Sequence, residues 1–207
     1  MFDSLVGFAV LAGLLVLVPG LDTALVLRST LRGSRATAFA TAFGIASGLF
    51  IWATVVTLGL AQLLTTYPTI STVLELIGAA YMGWIGVSLL IAAARTEEVS
   101  DVLTDLAPTT SVAKNFRLGL FTNLLNPKAA AFYLAVLPQF LPTELSLIAG
   151  GLILAAIHAI ETMLWFGILI TAGSAIRPWL SRPATTQWID RITGIVLIGF
   201  GLRLLLT

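Results

Sequence analysis

The chain has no cysteine and one histidine in 207 residues. That excludes disulfides and thiolate metal sites, and it leaves no dense site for a soft metal ion. Charge is scarce as well. Only 10% of residues are Asp, Glu, Lys or Arg, against about 25% in a soluble domain, too few to cover a water-facing surface. A net charge of +1 offers no basic face for nucleic acid. No phosphate-cradling or dinucleotide-binding glycine pattern opens a helix. ATP-driven transport by this chain alone is therefore not expected, and neither is a cofactor. Serine and threonine are frequent, but none stands in a nucleophile arrangement, so the chain does not read as an enzyme. The start, Met1-Phe2-Asp3, has no basic n-region and leads into a long apolar run, so a cleaved signal peptide is not expected.

What is present is apolar: 58% hydrophobic residues and a mean hydropathy of +1.02. At about 20 residues per crossing, the length allows about six transmembrane helices. The fold class expected is an all-α integral membrane protein. Spans are read at residues 4–27, 37–62, 70–94, 116–141, 145–172 and 187–206. Lys and Arg mark the cytoplasmic side. Loop 1–2 holds Arg28, Arg32 and Arg35. Loop 3–4 is flanked by Arg95, Lys114 and Arg117, and loop 5–6 holds Arg177, Pro178, Arg182 and Pro183, with Arg191 close by. Loops 2–3, around Thr65-Thr66-Tyr67-Pro68, and 4–5, at Pro142-Thr143-Glu144, have no basic residue. Both termini are thus expected outside. Arg203, near the outer end of span 6, dissents and is expected to snorkel. The polar stretch 95–114 reads as a solvated linker, with a short interfacial helix over Val99, Val102, Leu103 and Leu106 as the alternative. One membrane domain, 1–207, follows: a first repeat 1–94, a linker 95–114 and a second repeat 115–207. With three spans per half, the second half is inverted.

Two interruptions organise the rest. Val18-Pro19-Gly20-Leu21-Asp22 breaks span 1, and Asn126-Pro127-Lys128 breaks span 4. Pro19 lies about nine residues before Arg28 and Pro127 about ten after Arg117, so each sits about 15 Å from the cytoplasmic edge of a hydrocarbon core about 30 Å thick. Each proline frees one carbonyl, that of Leu15 and that of Asn123, and freed backbone groups in a bilayer must find partners or line a wet cavity. Each break also starts a half-helix whose N-terminal amides face the midplane and favour an anion. Paired interruptions in two halves point to a transporter's binding site.

Ionisable residues inside a span are functional candidates by default. Asp22 is expected to cap its half-helix and to act in binding or gating. Lys128 opens a half-helix whose dipole opposes a cation, so it needs a partner: Asp22 or a substrate carboxylate. His158 and Glu161, three residues apart in span 5, share roughly one face. They read as carriers of a coupling proton or as a mutually satisfied polar pair. Glu75 is expected near the outer interface. Asn123 and Asn126 read as substrate ligands or as partners of the freed carbonyls. Trp84 and Trp165 read as packing, Trp179 and Trp188 as an aromatic belt. Gly44 and Gly48, like Gly78, Gly83 and Gly86, read as close helix packing, within the bundle or across a homodimer.

Pro19-Gly20-Leu21-Asp22, the run Gly78-Ala79-Ala80-Tyr81-Met82-Gly83-Trp84-Ile85-Gly86 and the run from Phe116 through Asn123, Asn126, Pro127 and Lys128 to Leu137-Pro138-Gln139-Phe140 together resemble the lysine exporter superfamily. The nearest branch is the homoserine/threonine-resistance (RhtB) group, and the match spans nearly the whole chain. The resemblance implies a secondary transporter of the bacterial inner membrane, exporting amino acids or close derivatives and driven by the proton gradient. It assigns Pro19, Gly20, Asp22, Asn123, Asn126, Pro127 and Lys128 to the substrate path; Asp22, Glu161 and His158 are proton-coupling candidates from their ionisable side chains inside spans. The family commonly reads Pro-Gly-Pro-Asp where this chain has Pro-Gly-Leu-Asp, which predicts a milder break. The alternatives are a cation or metal-ion exporter, and a non-transporting membrane subunit that assembles through its glycine faces.

Overall fold

Long apolar runs with few internal breakers fold as helices wherever the chain is described, in a computed structural model covering residues 1–66, 70–94, 111–180 and 182–206. In order, these are α1 Phe2–Leu17, α2 Leu21–Arg32, α3 Arg35–Thr66, α4 Ile70–Ala94, α5 Val112–Leu124, α6 Pro127–Ala135, a 3-10 turn at Leu137–Phe140, α7 Leu147–Leu180 and α8 Pro183–Leu205. The interfacial helix weighed for 99–106 lies outside the described residues, as do the side chains of Glu75 and Trp179.

Among the described residues, three stretches are long and apolar enough to cross a bilayer: Arg35–Leu60, Leu76–Ala94 and Leu147–Ala172. The pair α1 and α2, bent by 54° at its break, makes a fourth if the two helices form one span. The span expected at 145–172 agrees with the third stretch. Arg177 and Pro178, however, fall inside α7 rather than in a loop, because the helix bends at Ala172 (φ −113°, ψ 16°) and then continues.

Hydroxyls in these apolar helices turn back on their own backbone. Thr41, Ser47, Thr54 and Thr57 each donate to the carbonyl four residues earlier, at 2.8–3.0 Å. That satisfies a polar group where water is absent.

Glycine lets the helices touch at the backbone. A methyl on Gly44 would overlap the Phe116 carbonyl of α5, and one on Gly119 would overlap the Thr41 carbonyl of α3. Gly86 and Gly194 do the same for α4 and α8: a methyl on either would come within 2.7 Å of the other's carbonyl oxygen. The Gly44–Gly48 face is therefore used inside the bundle. The main core gathers Phe8, Leu11, Leu15, Phe132, Tyr133, Leu137, Leu154 and Leu197 from α1, α6, the 3-10 turn, α7 and α8. A smaller one joins Val26, Ala42, Ile45, Phe166 and Leu169. At the end of the bundle where the chain starts, the Met1 ammonium donates to Glu144 Oε1 at 2.9 Å. This bond holds the Glu144 carboxyl below the usual carboxylate range.

Candidate functional site

The two breaks meet. Val18, extended at φ −63°, ψ 116°, ends α1, and Gly20 (φ −161°, ψ −167°) opens α2. In the other half, Leu125 ends α5 and Asn126 opens α6, with Pro127 in its first turn. The absent proline at position 21 does not keep span 1 straight, given the 54° bend.

Lys128 Nζ crosses from α6 to the end of α1. It donates to the carbonyl of Leu15 at 3.2 Å and to that of Val18 at 3.0 Å. Leu15 is the carbonyl that Pro19 leaves without its helical donor. The cation unfavourably placed at the start of α6 thus lies at the C-terminal end of α1, where the helix dipole is negative. Of the two partners weighed for Lys128, Asp22 forms no ion pair with it in this structure; two backbone oxygens hold the cation instead. Gly20 makes room for it: a methyl there would come within 3.3 Å of Nζ.

Asp22 does not cap α2. Gly20 is the N-cap and receives no side-chain cap bond. The carboxylate reaches across instead, and its Oδ2 accepts from Asn123 Nδ2 at 2.9 Å. Asn123 is fully buried against Gly48, where a methyl would come 2.5 Å from Oδ1. Asn126 caps its own helix, its Oδ1 accepting from the Lys128 amide at 3.0 Å. Its own amide takes the Asn123 carbonyl at 3.1 Å. The carbonyl freed by Pro127 is therefore satisfied by backbone, not by an asparagine side chain.

His158 and Glu161 are not a mutually satisfied pair, because no hydrogen bond joins them. Each has its own neighbour: His158 is buried and stacks on Tyr133, with ring centroids 5.8 Å apart and planes at 13°. Glu161 faces Gly13 of α1, where a methyl would lie 3.6 Å from Oε1. Neither bonds to Asp22 or Lys128. Asp22 Oδ1, Asn123 Oδ1, Tyr133 Oη, His158 Nδ1 and Glu161 Oε2 are buried without a partner in the protein. An unpaired buried polar group costs about 1–3 kcal/mol, and such groups ordinarily have water or a ligand as partner. Tyr133 and Gly48 were not singled out as site residues from the sequence. A tyrosine on an apolar stretch and a glycine in a packing motif have no local feature that shows what they face.

The model for LysE type translocators matches residues 14–207; the chain belongs to that family of membrane transporters. Among its relatives, the threonine efflux protein of Escherichia coli (strain K12) is 30% identical over 192 residues, with 91% of each chain covered. The homoserine/homoserine lactone efflux protein of Salmonella typhi is 27% identical over 200 residues, covering 97% of this chain and 95% of its own. A membrane protein of Bacillus subtilis (strain 168), YrhP, is 29% identical over 204 residues, with 97% of each covered. No solved structure matches the chain.

Proposed function

We propose that this protein is a secondary active exporter of amino acids or close derivatives across the bacterial inner membrane, working by proton antiport. The observation that carries the reading is the double bridge between the breaks: Lys128 on the end of α1 and Asn123 on Asp22. It presents a cation and an acid at one meeting of interrupted helices, which suits a zwitterion. The names of the relatives point to small hydroxylated amino acids such as threonine and homoserine.

In this reading the chain crosses six times, α1/α2 and α5/α6 each forming one broken span, in two inverted three-helix repeats with both termini outside. The substrate carboxylate draws Lys128 off the Leu15 and Val18 carbonyls and meets the first amides of α2 and α6. The substrate ammonium takes Asp22, whose Oδ1 has no partner in the protein. A proton from outside reloads Asp22 or Glu161 and returns the carrier, with His158 as the further candidate. Proteoliposomes under an imposed pH gradient, with labelled amino acids, test this. Gradient-driven movement of threonine or homoserine, lost in Asp22→Asn, is the expected result. Near-normal efflux from that variant would count against the site.

A further inference from the structure

A cavity of about 210 Å³ lies apart from the breaks, at the end of the bundle where α1 begins and α8 ends. Its floor is apolar: Met82 of α4, Phe140 of the 3-10 turn and Phe200 of α8. Its rim is polar and carries both signs: Asp3 and Ser4 of α1, Gln139 and Arg203. Drug-sized ligands occupy pockets of about 300–1,000 Å³, so this one suits a molecule of only a few heavy atoms.

The cavity accounts for the one basic residue that runs against the charge distribution. Lys and Arg otherwise mark the opposite side, yet Arg203 stands at the end that the distribution places outside. There it faces a cavity that also holds an acid and a neutral amide. The cavity is also separate from the meeting of the breaks. Phe200 packs on Phe140 at 5.8 Å, Phe140 on Phe8 at 6.1 Å and Phe8 on Phe132 at 5.6 Å between ring centroids. Phe132 lies one turn beyond Lys128. A chain of tilted and edge-on ring contacts thus stands between the two places.

We propose that this cavity is a second, release-side binding site for a zwitterionic amino acid, with Arg203 for the carboxylate, Asp3 for the ammonium and the aromatic floor for a short side chain. The identity of its ligand rests on the export reading above. Side-specific exchange in proteoliposomes of known orientation tests it, with labelled threonine and homoserine as probes. Arg203→Gln should raise the half-saturating concentration at the outer face about tenfold or more, the scale of losing a charged hydrogen-bonding group. At the inner face it should leave the value within about twofold. Arg203→Lys should fall between Arg203→Gln and the native protein, which separates charge from loss of fold. Equal outer-face values in Arg203→Gln and the native protein, or equal shifts at both faces, would overturn the proposal.

Equilibrium dialysis of the same probes against the protein in nanodiscs reads the cavity without any transport. Binding that depends on Arg203 and survives Asp22→Asn supports the site even if no gradient-driven movement is seen, in which case the export reading alone fails. Export with binding indifferent to Arg203 fells the cavity alone.

Discussion

The two breaks look alike in sequence and are held differently. The break before α6 looks after itself: Asn126 caps the new helix and its amide takes the carbonyl that Pro127 frees. The break before α2 borrows everything. Its N-cap is a glycine without a cap bond, its freed carbonyl accepts from Lys128, and one oxygen of its acid accepts from Asn123, both donors coming from the other half. A self-capped break is a fixed point, whereas a borrowed one holds only while its lenders stay. On the proposed export reading, the difference marks the break before α2 as the interruption that rearranges when a guest competes for the same groups.

The comparison can be broken by mutation, and the largest effect should come from the lenders. Lys128→Met strips two carbonyls of their donor at once, and efflux is expected to fall about 100-fold or more. The melting temperature should fall too, since each unpaired buried group costs about 1–3 kcal/mol. Asp22→Asn keeps a side chain of the same shape while removing the charge. Transport should fall as far, with the melting temperature close to native. Gly48→Ala pushes a methyl against Asn123 and should loosen its bond to Asp22. A cost of about 1–3 kcal/mol is expected, as for other overpacked positions, together with a measurable loss of efflux. Asn126→Ala removes a local cap, worth about 1 kcal/mol. It should lower stability without abolishing transport; a loss equal to that of Lys128→Met would erase the distinction between the breaks.

The smallest effect belongs far from both. The Glu144 carboxyl is held below its ordinary range, so any stability it lends is present above the unfolded-state pKa and fades as pH falls through the folded value. Glu144→Gln should change the melting temperature by no more than about a degree at pH 7, and by progressively less as the pH is lowered below the ordinary carboxylate range, as for other exposed ion pairs.

Both interruptions could be read from sequence because proline, glycine and charge are rare inside apolar runs, and the spans matching Arg35–Leu60, Leu76–Ala94 and Leu147–Ala172 because a bilayer sets their length. The partners could not. Whether Lys128 meets Asp22 or a carbonyl depends on how two helix ends cross, and nothing local to Lys128 distinguishes one acceptor from the other. Asp22 read as a cap by position alone, yet the geometry of Gly20 left that role open while Asn123 lay within reach. His158 and Glu161 were paired by spacing, but the aromatic side of α6 and the bare backbone at Gly13 drew them apart. Gly44 and Gly48 were recognised as contact glycines, and only the fold shows the contact to be α5.

The meeting of an acid and a base at the breaks also has an electrical meaning. Asp22 and Lys128 contribute zero net charge to that volume whether both are ionised or both are neutral, and a zwitterion adds none. Under the proposed cycle, moving the loaded site across the bilayer therefore carries no charge from these groups or their cargo. The membrane voltage, worth about 2.3 kcal/mol per charge at 100 mV, would act on the coupling proton alone. The current measured per molecule exported would then count protons directly.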